Sequence, residues 1–128
     1  MTTLALTGQP YSGFSVDDVP AARRFYEDVL GVQVAEAHGM LTLFPGERPT
    51  LVYPKGEEHV PASFTVLNFP VADIDAAVAA LRARGVAFSA SDWTDEAGIM
   101  RGRARGMGPD IAWFRDPAGN VLSVLQEG

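Results

Sequence analysis

An internal repeat restricts this chain more than any local propensity does. Val16-Asp17-Asp18-Val19-Pro20-Ala21-Ala22 recurs, about 55 positions on, as Val71-Ala72-Asp73-Ile74-Asp75-Ala76-Ala77. Each copy runs about a dozen residues further to a Gly-Val pair, Gly31-Val32 and Gly85-Val86. A duplicated segment of this size is a supersecondary unit written twice. Neither copy is large enough to bury its own apolar faces, so the two must share a core.

Within each copy the signals agree. Asp18 and Asp73 sit where a side-chain oxygen can accept from the orphan amides of a helix start, and Pro20 fits a first helical turn. Ala22, Phe25, Tyr26 and Val29 form one apolar stripe at i, i+3, i+4 and i+7. Ile74, Ala77, Val78 and Leu81 form another. Gly31 and Gly85 suit the left-handed position that closes a helix, and Arg82 and Arg84 favour the carbonyl end of the second.

Short β-like runs follow: 32–37, 40–44 and 50–53 in the first half, then 86–90, 100–105, 111–115 and 121–126. His38-Gly39, Pro45-Gly46, 106–109 and Asp116-Pro117-Ala118-Gly119-Asn120 supply turn chemistry between them. The expected architecture is α+β: one domain made of two tandem β-α-β-β-β modules, about 9–55 and about 62–127. The polar stretch from Trp93 to Gly98 is the expected mobile loop.

Composition narrows function by exclusion. With no Cys among 128 residues, disulfides, a catalytic thiol and thiolate metal sites are out, and a reducing cytoplasm is the expected compartment. Met1 to Gln9 lacks the basic and apolar regions of a signal peptide, and no apolar run approaches a membrane span. Sixteen acidic against ten basic residues give a net charge of −6, which disfavours a nucleic-acid partner. No His-Glu-x-x-His, P-loop, Gly-x-Ser-x-Gly or Gly-x-Gly-x-x-Gly sequence occurs, so no acid–base or nucleophilic constellation can be named from motifs.

The duplicated unit, with Phe25-Tyr26-Glu27-Asp28-Val29-Leu30-Gly31 in its first half and Phe114-Arg115-Asp116-Pro117-Ala118-Gly119-Asn120 near the end, resembles the vicinal oxygen chelate superfamily. That group includes glyoxalases, extradiol dioxygenases, and fosfomycin- and bleomycin-resistance proteins. The resemblance spans Tyr11 to Gln126 and implies paired modules whose curved sheets form a cup, with helices outside, in a homodimer. Enzymes of this group hold a divalent metal in the cup through His, Gln or Glu. The positions implied here are Tyr11, Thr50, Val66 and Ser123, and their neutral side chains cannot neutralise such an ion. No metal and no cofactor are therefore expected. His38, beside a turn glycine, and His59, in the charged stretch 55–59, read as exposed loop histidines.

By strand alternation and the family pattern, Tyr11, Gly13 and Ser15 face the cup. Val66, Asn68 and Pro70, then Val121, Ser123 and Leu125, join them, with Thr50 and Val52 alongside. Apolar walls with sparse polar groups describe a small-molecule site, or a set of side chains that simply pack on one another. Trp93 and Trp113 could stack on a flat ligand and Met100 and Met107 adapt to it, or each could pack in core or interface. Arg101, Arg103 and Arg105 alternate as on a solvated strand edge, or as a carboxylate-recognising fork. The leading expectation is a metal-independent protein that binds an apolar or aromatic organic molecule. The alternatives are a lyase, isomerase or dioxygenase with a non-standard metal set or none, and a dimeric scaffold or partner-binding module with a filled cup.

Overall fold

The computed structural model describes residues 5–128. Two four-stranded sheets account for its β structure. The first module runs β1 (Ser12–Val16), α1 (Val19–Arg24), β2 (Gln33–Ala37), β3 (Met40–Phe44) and β4 (Thr50–Pro54). The second runs β5 (Thr65–Pro70), α2 (Ile74–Ala83), β6 (Met100–Arg101), β7 (Asp110–Arg115) and β8 (Val121–Gln126). The strand orders, β1-β4-β3-β2 and β5-β8-β7-β6, are the same topology twice. In each, the strand before the helix pairs in parallel with the module's last strand, and the other ladders are antiparallel. The β-α-β-β-β repeat is thus present in both halves.

The helix signals translate into geometry. Asp18 Oδ1 accepts from Ala21 N and Asp73 Oδ1 from Ala76 N, both at 3.1 Å. Gly31 and Gly85 take φ of 70° and 91°, where a side chain would be strained. After Arg24 the first helix widens by one residue per turn over Phe25–Val29, so that Leu30 N donates to Phe25 O at 3.0 Å. This brings Phe25 and Tyr26 together over the sheet. The expected stripes are inward: Ala22, Tyr26, Ile74 and Val78 are buried, with Phe25, Val29 and Leu81 packed against them.

Both modules bury their helix sides in one cluster. Phe14, Val16, Leu41, Leu43 and Val52 come from the first sheet and Ala112, Phe114, Leu122 and Val124 from the second. Aromatic rings carry this core across the repeat: Phe14 to Tyr26 at 6.1 Å, Tyr26 to Phe25 at 5.3 Å, and Phe25 to Phe114 at 6.4 Å between centroids. A period of two along every strand then leaves one face of each sheet turned away from the helices.

Two expectations for the second half are corrected. The run 86–90 is no strand: Phe88 makes one bridge to Phe114 and Ser89 N donates to Trp113 O at 2.8 Å. The edge of β7 has a limited number of free groups, and β6 takes the remainder. The run 100–105 stops pairing after Arg101, and Arg103–Arg105 turn away in a single 3-10 turn ending at Gly106, φ 64°. The three arginines therefore do not alternate along an edge. Arg101 places Nη1 and Nη2 on Asp75 at 3.1 and 2.7 Å and Nε on Asp95 at 2.8 Å, so its fork is filled by the chain's own carboxylates. Arg103 pairs with Asp110 at 3.4 Å. The hydrogen bond from Arg101 holds the Asp75 carboxyl below the usual carboxylate range.

The modules are locked by one polar network inside the shared core. Asp116 Oδ1 accepts from Asn120 N at 2.8 Å, and Oδ2 accepts from Tyr26 OH at 2.7 Å and Asn120 Nδ2 at 3.2 Å. Asn120 Nδ2 also donates to Ser15 O at 2.8 Å, and Oδ1 accepts from Ala62 N at 3.1 Å. Burial, and then the neighbouring Asp116, push the Tyr26 hydroxyl well above its usual pKa.

Removing the Tyr26 hydroxyl leaves a buried carboxylate short of one donor. Tyr26→Phe is expected to lower unfolding free energy by about 1.5–3 kcal/mol, read from urea melts at pH 7. A raised folded pKa means stability is full below the unfolded value and falls as pH rises beyond about 10. The wild-type protein should lose this contribution progressively as pH rises from about 10 through the raised folded-state pKa, and Tyr26→Phe should show a flatter dependence there. Equal slopes would contradict the assignment.

Candidate functional site

The parallel β1–β4 register pairs Gly13 with Leu51 and Ser15 with Tyr53. These four side-chain positions share the open face of the first sheet. Thr50 and Val52 are one residue out of phase and turn to the helix side, where they are buried; Thr50 Oγ1 lies 3.0 Å from Ser12 Oγ. The expected lining at Thr50 and Val52 is thus replaced by Leu51 and Tyr53. A Cβ on Gly13 would stand 3.3 Å from Leu51 O, a tight approach, and 3.8 Å from the Tyr53 ring, an ordinary contact, so the glycine eases the approach of the β4 backbone.

On the second sheet, Asn68 pairs with Ser123 and Ser123 with Trp113, placing all three on the open face. Ser123, fully buried, donates its hydroxyl to Asn68 Oδ1 at 2.6 Å. The half-buried Trp113 donates Nε1–H to Thr65 Oγ1 at 3.2 Å. Met100 lies opposite Ile111 on the same face, at the sheet edge. The β5–β8 register shifts between Thr65 and Leu67, so Val66 stands in an irregularity and packs against the core cluster.

Where β1 and β5 approach, an open groove of ≈ 520 Å³ joins the faces. Gly13 and Ser15 line one side, Thr65 and Val66 the other, with Tyr53, Val60 and Phe64 between. Val60 and Phe64 are 79% and 69% exposed, which leaves apolar surface at the rim. Tyr11, also exposed, borders a neighbouring groove of ≈ 400 Å³ with Arg48 and Pro49. Asn68 and Pro70 reach a third, of ≈ 470 Å³, beneath the turn 45–48. Trp93 stands apart, exposed in a turn closed by Ser91 and Thr94, and borders none of these grooves. Met107 is exposed in the turn before β7.

His59 corrects the expectation of an exposed loop histidine. It is half-buried in the connection between modules, with Nδ1 2.8 Å from Ser15 Oγ and Nε2 2.9 Å from Ala118 O. A carbonyl only accepts, so Nε2 carries a proton, and in the neutral ring Nδ1 accepts from the Ser15 hydroxyl. The imidazole is thereby fixed in one tautomer behind a groove-lining serine. Its charged neighbours 55–58 gave no hint of this; only the need of the connection to cross β1 could have suggested it. His38 is exposed at a turn, with φ 54°.

The four family metal positions do not converge as donors. Tyr11 is exposed and borders a different groove, Thr50 faces the core, Ser123 is spent on Asn68, and Val66 has no donor. Among the described residues no three His, Cys, Asp or Glu side chains are grouped. The residues present do not suit a divalent cation there.

Each polar group of the Ser15–His59–Ala118 chain completes another, so deleting either side chain leaves an unpaired partner. His59→Ala is expected to cost about 1–3 kcal/mol and Ser15→Ala less, with the double variant less destabilised than the sum. Additive urea-melt values would show that the two side chains are uncoupled.

No curated protein sequence matches the chain. Solved structures share its fold over nearly full lengths. An antibiotic-binding protein, TnmS3, from a Streptomyces species is 22% identical over 97% of this chain and 100% of that one, with a TM-score of 0.64. A lactoylglutathione lyase from Agrobacterium tumefaciens is 18% identical, covering 94% and 93%, with a TM-score of 0.64. The fosfomycin resistance protein FosX from Mesorhizobium loti is 12% identical, covering 97% and 95%, at 0.65. Residues 8–124 match the sequence profile of one family, and the chain belongs to the Glyoxalase/Bleomycin resistance protein/Dioxygenase superfamily.

Proposed function

We propose that this protein binds a small, partly aromatic organic molecule on the open sheet faces, without a metal ion, and that it does so as a cytoplasmic homodimer. The observation that carries the reading is the groove beside β1 and β5: apolar Tyr53, Val60, Phe64 and Val66 surround two oriented hydroxyls, Ser15 and Thr65. Apolar walls supply affinity and a few fixed polar groups set orientation. The neutral side chains at the family's metal positions, one of them a valine with no donor atom, support metal independence. The antibiotic-binding likeness of one structural relative is consistent with sequestration as the biological role. The exposed Val60 and Phe64 at the rim support a second copy as the element that closes the groove.

Ser15 and His59 favour one second reading. A base held in a fixed tautomer beside a groove is the arrangement a metal-independent lyase or isomerase needs for moving a proton. Under that reading His59→Gln abolishes turnover while ligand affinity stays within a few-fold.

The binding reading is tested with planar naphthol and acridine compounds, neutral and cationic, followed by thermal unfolding and by Trp113 emission in a Trp93→Phe background. A true ligand raises unfolding free energy by about 2.7 kcal/mol at a hundred times its Kd. Unchanged melting and emission across the panel would overturn the proposal. Sedimentation equilibrium should give twice the 13.7 kDa chain mass, and Phe64→Glu should shift it toward monomer. A monomer at millimolar concentration would remove the dimer.

A further inference from the structure

The molecule carries a further concavity on the opposite side of the second sheet, behind β5 and β8. It measures ≈ 310 Å³ and lies at the boundary of the modules. Leu30 closes it from the first module, while Phe69, Ala77, Leu81 and Val124 line it from the second. Its lining side chains are therefore mostly hydrocarbon. The exception is Arg84, the residue after α2, whose side chain borders the same space.

Arg84 is held in place without being neutralised. Its Nη1 donates to Val29 O at 2.8 Å, across the module boundary and next to Leu30. Among the described residues no carboxylate lies within ion-pair distance of it; Arg24, Arg48, Arg82, Arg105 and Arg115 are likewise unpaired, and Arg84 differs in bordering this apolar groove. One N–H of five is spent on a carbonyl, which positions the fork and leaves the other donors free. A guanidinium fixed this way has lost part of its rotamer entropy before any ligand arrives.

We propose that this groove is a binding site for a small amphipathic monocarboxylate, a medium-chain or arylalkanoic acid, with Arg84 holding the carboxylate and the hydrocarbon lying on Leu81 and Phe69. The chemistry follows from the pairing of one unneutralised cation with an apolar trough. A polyanion would find a single counter-charge, and a neutral hydrocarbon would leave the guanidinium unused. The volume stands at the lower end of the roughly 300–1,000 Å³ typical of ligand sites, which selects a short chain. The site is separate from the groove beside β1, and its occupancy does not depend on what binds there.

Sodium octanoate and octan-1-ol share a chain and differ in the headgroup, so amide NMR titration with the two probes isolates the role of Arg84. Octanoate should bind saturably, with shifts at Leu30, Ala80 and Arg84, and about tenfold more tightly than the alcohol. Arg84→Gln should erase that difference. Ala80→Phe, on an exposed helix position at the groove, should fill it and weaken both probes. Equal affinity of acid and alcohol, an unchanged ratio in Arg84→Gln, or shifts confined to Trp113 Nε1 and β1 would each overturn the proposal. Shifts at the groove reproduced by concentrating the protein alone, with no response to octanoate, would assign it to a second copy and overturn it too.

Discussion

The carboxylate of Asp116 holds the two halves of this fold in one arrangement. It sits buried at the start of the turn between β7 and β8, and its oxygens receive a phenol from the first helix and two donors from Asn120. Asn120 in turn reaches the backbone of β1 at Ser15 and the connection between modules at Ala62. A buried carboxylate of this kind is tolerable because donors meet both of its oxygens. The network is therefore an all-or-nothing device: a relative shift of the modules would strip several bonds at once. Hydrocarbon packing around Phe25 and Phe114 supplies most of the attraction, but such contacts slide. The directional bonds are what choose one position.

That choice has a consequence for the open faces. Because Asn120 grips Ser15 O and His59 grips Ser15 Oγ, β1 is fixed from both its backbone and its side chain at a residue that lines the groove. The groove is thus a by-product of how the modules are locked. A proposed ligand there would meet walls already ordered by the core, and would forfeit little further entropy on binding.

Much of the architecture was legible because the signals were local and doubled. Asp18 and Asp73 cap, Gly31 and Gly85 terminate, and the stripes headed by Ala22 and Ile74 turn inward, each through chemistry confined to a few residues. Duplication tested every one of them twice. What was not legible depended on pairing partners. Thr50 and Val52 were placed on the open face because alternation gives parity along one strand but no phase between two; the parallel register with β1 puts Leu51 and Tyr53 there instead. The run 86–90 has strand composition, yet β7 has only one free edge and Met100–Arg101 occupies part of it. His59 lies 44 positions from Ser15, and nothing in its charged surroundings encodes that contact.

The same alternation explains how one fold can carry unrelated chemistries. Along β1, Phe14 and Val16 belong to the common core while Gly13 and Ser15 belong to the groove, so stability and recognition are assigned to different residues of a single strand. A substitution at Phe14 is felt throughout the close-packed cluster. One at Leu51 or Tyr53 is felt on the open face and leaves the shared core in place. Recognition can therefore change on this second set without disturbing the first. Ser123 marks where the separation is incomplete. It lies on the open face by register but is buried, and its hydroxyl is committed to Asn68. Any larger side chain there would have to displace Asn68 or the Trp113 ring opposite, so this position, unlike Leu51, couples recognition to stability.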